Sequence, residues 1–414
     1  MSQSRTADAD RAVLLLGTLD TKGEEFEFLR DRLGLAGVGA LLADVGTLEP
    51  PRGSPDITRE EVGAETGVDV AALGAAGDRG AAIAAMAGAA AALARRLYDE
   101  GRIHGVLSAG GSGNTAIATA AMQALPVGVP KLMVSTMASG DTSDYVGGVD
   151  VTMMASVTDV AGINSISSRI LANAAAAMAG MVLAPEPQLE AGRPLVAATM
   201  FGVTTPCVTR ARDALEEKGY EVLVFHATGT GGKAMEALVD GGLVSGVLDA
   251  TTTELCDDLV GGVLSAGPAR LEAAGRAGVP QVVSLGALDM VNFGARDTVP
   301  AKFEDRNLYV HNPSITLMRT TPEECAEVGR RIARKLAAAT GPVSLFVPLN
   351  GVSMIDAEGQ PFHDPEADAA LFDALREGLA GSQVELVELD NNVNDEEFAT
   401  AMADRLDEHL RGEK

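Results

Sequence analysis

The strongest indication of the fold is the stretch His104-Gly-Val-Leu-Ser-Ala-Gly-Gly-Ser-Gly-Asn-Thr115. A short apolar run enters a glycine-rich turn, and the alanine-rich segment Ala116–Leu125 continues as a helix. This order is typical of parallel α/β sheets, in which such turns follow the carboxyl ends of strands. Glycines let an anion approach the backbone, and the free N–H groups of a helix start favour negative charge. The stretch predicts a phosphate-binding turn, with a tight turn that binds no ligand as the alternative.

The same turn also matches a dinucleotide pattern, because Gly111–Ala116 reads G-x-G-x-x-A. The pattern has low specificity and needs an acidic residue at the end of the next strand to bind a ribose hydroxyl. No acid directly follows the next apolar run, Lys131–Ser135, which continues into Thr136-Met-Ala-Ser-Gly140. NAD is therefore disfavoured.

Short apolar runs alternate with helical patterns along the whole chain. Strands this apolar on both faces indicate a parallel sheet covered by helices on both sides. The segment 185–194 contains three prolines and interrupts the pattern. We therefore expect an α/β protein with two Rossmann-like subdomains, 1–184 and 195–414, joined by a linker at 185–194. The predicted strands are Ala12–Leu16, Gly105–Leu107, Lys131–Ser135, Leu195–Ala198, Glu221–Phe225, Val244–Leu248, Gln281–Leu285 and Val343–Val347.

The two halves also resemble distant copies of one unit. Gly105-Val-Leu-Ser108 is echoed by Gly246-Val-Leu-Asp249, and Gly128-Val-Pro130 by Gly278-Val-Pro280, each before an apolar run. The alternative is that Gly-Val-Pro is simply a common turn before a strand. If the repeat is real, we expect two mainly parallel sheets that face each other across a ligand-binding cleft.

Two further glycine loops resemble phosphate loops but do not match the Walker pattern. Gly17-Thr-Leu-Asp-Thr-Lys-Gly23 has its lysine before the last glycine, and Gly229-Thr-Gly-Gly-Lys-Ala234 lacks the Ser or Thr that would hold magnesium. Each still offers amides, a hydroxyl and a lysine after a strand, with an ordinary turn as the alternative. The predicted ligand-binding residues are Gly17, Thr18, Asp20, Thr21, Lys22, Gly110, Gly111, Ser112, Gly113, Asn114, Thr115, Ser139, Gly140, Asp141, His226, Gly229, Thr230, Gly231, Gly232 and Lys233.

Other chemistries have less support in the sequence. Asp141 and Asp144 offer ligands for Mg²⁺ or a ribose hydroxyl in a polar loop, while a solvated loop is the alternative. His226 follows a predicted strand, where it could serve as an acid, a base or a phosphate ligand. The five histidines do not form a zinc motif, and no G-x-S-x-G elbow occurs. We therefore expect no dedicated metal site, and a serine hydrolase is disfavoured.

Composition limits the partners and the compartment. The formal net charge of −26 argues against nucleic acid and anionic membranes, because both require a basic patch. Three widely spaced cysteines form neither a disulfide framework nor a CxxC pair. The alanine-rich stretches Ala81–Ala94 and Ala174–Pro187 are shorter than a membrane span, and residues 1–11 lack an apolar signal core. These features indicate a cytoplasmic protein.

Several of these blocks, in this order, carry a family resemblance. Gly17–Glu24, Ser108–Thr115, Val134–Gly140, Phe225–Glu236 and Pro348–Ser353 resemble the Tm-1-like ATP-binding domain family, which includes the inhibitory domain of the tomato mosaic virus resistance protein. The likeness runs from about residue 13 to about residue 353. The resemblance implies two Rossmann-like subdomains, ATP with or without Mg²⁺ as the ligand, and a homodimer. It supplies no reaction.

The sequence leaves the biochemical role open. The first hypothesis is a cytosolic nucleotide-binding protein, with either half holding the nucleotide. The second is an enzyme that acts on a small phosphorylated or carboxylated metabolite, with His226, Lys233 or Asp249 in proton transfer. The third is a sensor that changes partners with nucleotide state.

Overall fold

The chain folds into two compact units, Met1–Gln188 and Leu189–Lys414. The computed structural model describes residues 11–185 and 192–412. Most of the predicted linker, residues 186–191, and the N-terminal segment 1–10 lie outside the described residues. Each unit has its own parallel sheet, so the predicted two-domain α/β fold is confirmed.

The first unit contains one five-stranded sheet in the order β2-β1-β3-β4-β5, and every neighbouring pair is parallel. This order makes β1 and β3 the pair at which the direction of winding reverses, the usual ligand position in open α/β sheets. The strands are Ala12–Gly17 (β1), Gly39–Asp44 (β2), Val106–Gly110 (β3), Lys131–Ser135 (β4) and Thr152–Ala155 (β5); the helices are Leu19–Leu35 (α1), Arg59–Ala64 (α2), Val70–Ala76 (α3), Arg79–Asp99 (α4), Ser112–Gln123 (α5), Ser143–Val146 (α6) and Ser167–Leu183 (α7).

Alternating side chains of β1 build the core on both faces of this sheet. Leu14 and Leu16 pack with the apolar faces of α4 and α5, whereas Val13 and Leu15 pack with those of α1 and α7. In the alanine-rich helices α4 and α7, Ala89, Ala90, Ala174 and Ala175 are buried in this core. By length and composition alone α4 would suffice to cross a membrane, and 39% of its most apolar window is buried.

The second unit has a six-stranded parallel sheet in the order β14-β13-β9-β8-β6-β7 and a small antiparallel sheet, β10-β12-β11. Its strands are Leu195–Met200 (β6), Glu221–His226 (β7), Gly246–Thr251 (β8), Gln281–Gly286 (β9), Met290–Phe293 (β10), Leu308–Asn312 (β11), Ile315–Arg319 (β12), Val343–Pro348 (β13) and Glu385–Leu389 (β14). Its helices are Thr205–Glu217 (α8), Thr230–Asp240 (α9), Glu254–Val260 (α10), Ala273–Ala277 (α11), Pro322–Ala337 (α12), Pro365–Leu379 (α13) and Glu396–Arg411 (α14).

The repeated sequence blocks occupy equivalent places in the two sheets. In the first unit the order β2-β1-β3-β4 surrounds the point of reversal, and in the second unit β7-β6-β8-β9 does the same. The Gly-Val-Leu blocks lead into β3 and β8, and the Gly-Val-Pro blocks precede β4 and β9. The common strand order supports the interpretation of the halves as copies of one unit.

Helix starts agree with the sequence at one position and differ at another. The S/T-x-x-E spacing of a capping box occurs at Thr321–Glu324, and these residues form that box before α12. The same spacing at Thr21–Glu24 predicts a helix start there, but α1 already begins at Leu19 and has a kink at Lys22, whose φ is −129° and ψ is 26°. The segment Gly17–Gly23 is therefore mostly the first turn of a helix and only briefly a loop.

Candidate functional site

A cavity of about 450 Å³ opens in the first unit at the carboxyl ends of β1, β2 and β3. It lies at the reversal point of the sheet and is bounded by α1, α3, α4 and the start of α5. Its volume falls within the range of roughly 300–1,000 Å³ that is usual for small-molecule sites. The predicted residues that line it are Thr18, Asp20, Thr21, Lys22, Gly111, Ser112, Gly113 and Asn114.

The start of α5 presents unused hydrogen-bond donors to this cavity. Gly111 is the N-cap and supplies no side-chain cap, and within the described part of the chain the N–H groups of Ser112 and Gly113 have no acceptor. A helix start leaves these donors unsatisfied unless a side chain, water or a ligand accepts them. A bound anion would satisfy them and would also lie at the positive end of the helix dipole.

Asn114 adds an unpartnered polar atom at the same place. Its side chain is only 4% exposed, and its Nδ2 donates to Ser108 Oγ and to the carbonyl of Ala109. The carbonyl partner fixes the amide orientation, because a carbonyl only accepts. The remaining Oδ1 is buried and has no partner. A hydroxyl or protonated group of a ligand would satisfy it.

Two cationic side chains lie at the cavity. Lys22 donates through Nζ to the carbonyl of Val160, and Arg79 is exposed in the first turn of α4. Among the described residues, Arg79 forms no salt bridge and no hydrogen bond through its side chain. Its Nη2 lies 3.7 Å from where a Cβ at Gly113 would stand, so it is near the free amides of α5.

Sequence reasoning missed Arg79, although its position carried a signal. A cation in the first turn of a helix opposes the helix dipole, which favours acids there. The Asp78-Arg79-Gly80 start of α4 places an arginine at that unfavourable position, next to the N-cap Asp78. A ligand anion at the same helix end would explain the arginine.

Asp20 is a buried acid that lines the cavity, and Asp44 stands next to the lining residue Val45. Asp20 is 5% exposed and accepts a hydrogen bond from Leu48 N–H at 3.3 Å, while Asp44 at the end of β2 accepts from Leu19 N–H and Gly46 N–H. Burial raises the pKa of Asp44, and the charge of Asp20 adds to the effect. No acid directly follows β4, as the sequence indicates, and the buried acids Asp20 and Asp44 lie after β1 and at the end of β2.

The remaining wall of the cavity is apolar. Val45, Leu48, Leu73, Ile83 and Ile117 line it, and the β2–α2 loop is held in place by a hydrogen bond from Arg52 N–H to the carbonyl of Leu19. An apolar surface with a few polar groups at its ends suits a ligand that has a flat or apolar part and a charged part.

Other predicted residues of the first unit lie outside the cavity. Gly17 and Gly110 end their strands beneath it, and Thr115 Oγ1 bonds Ser135 Oγ at 2.7 Å. Asp141 accepts hydrogen bonds from the N–H and hydroxyl of Ser143, which lower its pKa. Ser139, Gly140 and Asp141 do not line the cavity.

In the second unit, the Gly229–Lys233 loop already holds a carboxylate of the protein. Gly229 N–H and Gly232 N–H donate to Glu254 Oε1 at 2.6 and 3.1 Å. Its neighbour Asp249, a candidate for proton transfer, accepts hydrogen bonds from Arg270 through both oxygens. His226 is exposed at the end of β7 and lies 5.8 Å from the ring of Phe201, centre to centre. Thr230, Gly231 and Lys233 belong to the first turn of α9.

Comparison with known proteins places both units in one family. Residues 11–187 match the N-terminal domain model, and residues 193–410 the C-terminal domain model, of the family described as "Uncharacterised protein family (UPF0261)". The chain belongs to the UPF0261 family. A UPF0261 protein from Clostridium tetani is 54% identical over 96% of this chain and 98% of its own length.

Tomato proteins are also similar to this chain. The ToMV resistance protein Tm-1(GCR237) of Solanum lycopersicum is 40% identical over 95% of this chain, which spans 55% of the tomato protein's length. The expected likeness to tomato Tm-1 is thus confirmed, and the family is UPF0261 rather than one defined by ATP binding. A solved "S. aureus MnaA-UDP co-structure" aligns over 92% of this chain at 10% identity with a TM-score of 0.24, which is too low to support an argument.

Proposed function

We propose that the first unit of this UPF0261 protein binds a nucleoside phosphate, with ATP as the first ligand to test, in the cavity between β1 and β3. The observation that carries the proposal is the convergence of unused groups on one space. The α5 amides lack acceptors, Asn114 Oδ1 lacks a donor and Arg79 lacks a counterion within the described residues. One bound phosphate compound would satisfy all three.

Each part of such a ligand has a matching surface. The amides of Ser112 and Gly113, with Arg79 and Lys22, suit the phosphate groups. Asp20 suits a ribose hydroxyl, because an ionised carboxylate only accepts hydrogen bonds. The apolar wall at Leu48, Leu73 and Ile83 suits the base. Mg²⁺ would be bound through the phosphates of the ligand, and we propose none of the predicted acids as its ligand.

The alternative function is an enzyme, and one of its three candidate proton-transfer residues, Asp249, is not accessible to a substrate. Asp249 is 1% exposed and its two oxygens are held by Arg270, so it cannot reach a substrate without breaking a buried ion pair. His226 and Lys233 remain available as side chains. A small phosphorylated or carboxylated metabolite would use the same anion-binding groups, and a metabolite screen against the nucleotide series distinguishes the two.

The test compares one glycine at the cavity with one away from it. A Cβ at Gly113 would lie 3.2 Å from Ile83 Cδ1 and 3.7 Å from Arg79 Nη2, whereas a Cβ at Gly88 on α4 would meet nothing within 4 Å. Gly113→Val therefore fills the phosphate position, and Gly88→Val changes helix propensity alone. We expect Gly113→Val to weaken ATP binding at least about tenfold, or 1.4 kcal/mol.

Binding and thermal stability are measured on the same preparations by calorimetry. The proposal would be contradicted if a folded Gly113→Val chain bound ATP with unchanged affinity. It would also be contradicted if the wild type gave no binding heat with millimolar ATP and Mg²⁺. Loss of stability with intact affinity would mean that Gly113 serves only the turn.

A further inference from the structure

The equivalent of the cavity in the second unit is filled by a side chain. In both units the Gly-Val-Leu block leads into the strand beside the reversal point. Eight residues after the first glycine of the block stands Gly113 in the first unit and Glu254 in the second. Glu254 of the second unit thus occupies the position equivalent to Gly113, which lines the open cavity of the first unit.

The carboxylate of Glu254 is bound as a ligand anion would be. It is fully buried, and its Oε1 accepts the N–H groups of Gly229 and Gly232 at the start of α9. Its Oε2 accepts from Arg270 Nε at 2.6 Å. Helix α9 has 11 residues and no side-chain cap of its own, so Glu254 supplies the negative charge that its N-terminus favours. In the first unit α4 is the helix at this place, and Arg79 stands in its first turn.

The arginine that donates to Glu254 is also held by a second carboxylate. Arg270 is buried, and its two terminal nitrogens are held by both oxygens of Asp249. Removing the Glu254 side chain would leave two glycine amides and Arg270 Nε without an acceptor in a closed space. Buried donors left unpaired are costly, so this space should take up a small anion from solution.

We infer that Glu254 is a built-in substitute for a bound anion, and that the second unit is a closed copy of the anion site that the first unit leaves open. The chain would then bind one nucleotide, in the first unit only. The second half of this inference rests on the proposed function, but the role of Glu254 does not.

The experiment is chemical rescue of Glu254→Gly in the full chain, with formate as the probe because it matches the lost carboxylate. Thermal unfolding is followed in sodium formate and in sodium chloride at equal ionic strength. We expect formate to raise the Tm of Glu254→Gly by about 3 °C more than chloride, saturably, because it binds only the folded state. The wild type and Glu254→Gln, in which the space is filled, should not respond.

A Glu254→Gly Tm that rises no more in formate than in chloride would overturn the inference. If the variant does not fold in chloride, refolding in formate replaces the melt: recovery of folded chain supports the inference, and failure in both salts overturns it.

The nucleotide is tested separately, by titrating wild type and Gly113→Glu with ATP. One site per chain, lost in Gly113→Glu, is expected, and two sites would contradict a closed second unit. No ATP binding by the wild type would instead refute the proposed function while the formate result still stands.

Discussion

Replacing Arg79 with alanine separates ligand binding from folding. Arg79 lines the cavity, and within the described residues its side chain has no ion pair to lose. Because an arginine in the first turn of α4 opposes the helix dipole, its removal should leave the free energy of unfolding unchanged or raise it by a few tenths of a kcal/mol. A side chain that serves only the ligand should affect affinity alone.

The expected loss of affinity follows from the interaction that Arg79 would make. A hydrogen bond to a charged group contributes about 1.5–3 kcal/mol, which corresponds to roughly ten- to 150-fold in Kd. The exposed position places the effect at the lower end of this range, since solvent and salt screen it. The affinity of the wild type should therefore fall as sodium chloride is raised, and the affinity of Arg79→Ala should fall less steeply.

Isothermal titration with ATP measures the effect, and urea unfolding measures stability on the same samples. Arg95→Ala is the matched control: Arg95 lies on the same helix, does not line the cavity and bonds Asp99. Its removal should cost at most about 0.5 kcal/mol of stability and no affinity. An Arg79→Ala chain that binds ATP as tightly as the Arg95→Ala chain would refute the placement of phosphate beside α4.

Three further outcomes follow from other parts of the structure. Burial and then the charges of Asp289 and Asp368 raise the pKa of Asp356 from 3.8 to about 9, so the folded chain keeps a proton that the unfolded chain releases. The free energy of unfolding should fall as pH rises from about 5 to 9, by up to about 1.4 kcal/mol per pH unit, and an equal fall in Asp356→Asn would contradict this. Val157 has φ of 63° and is 80% exposed, so Val157→Gly should add about 1 kcal/mol of stability in urea melts, and no gain would argue against strain there. Sedimentation at micromolar concentration should show the homodimer that the family resemblance implies, and a single 42.4 kDa species would exclude it.

The regular parts of the fold could be predicted because each is specified by a short stretch of consecutive residues. All eight predicted strands are present, since apolar runs bounded by glycine turns specify buried parallel strands. β2 was missed because Gly39-Ala-Leu-Leu-Ala-Asp44 is rich in helix formers, and it becomes a strand by pairing with β1. The antiparallel strands β10–β12 were also missed: β11 and β12 form a hairpin across residues 313–314, whereas β10 pairs with β12 from more than twenty residues away.

The candidate site was predictable only in part. The glycine turn before α5 was visible because its chemistry lies within a few consecutive residues. Arg79 and Asp20 meet that turn only because β1, β2 and β3 are neighbours in the sheet, and strand order is not a local property. For the same reason Gly229–Lys233 looked open in the sequence, although Glu254 fills it from the following strand–helix turn.

Hydrogen exchange of the full chain with and without saturating ATP tests whether the phosphate site is at the start of α5 in the first unit. We expect slower exchange of the amides of Ser112, Gly113 and Asn114 when ATP is present, because a bound phosphate would accept their hydrogen bonds. We expect no change at Gly229 and Gly232, which already donate to Glu254. Protection confined to Gly229–Lys233, or no protection in either unit, would contradict it.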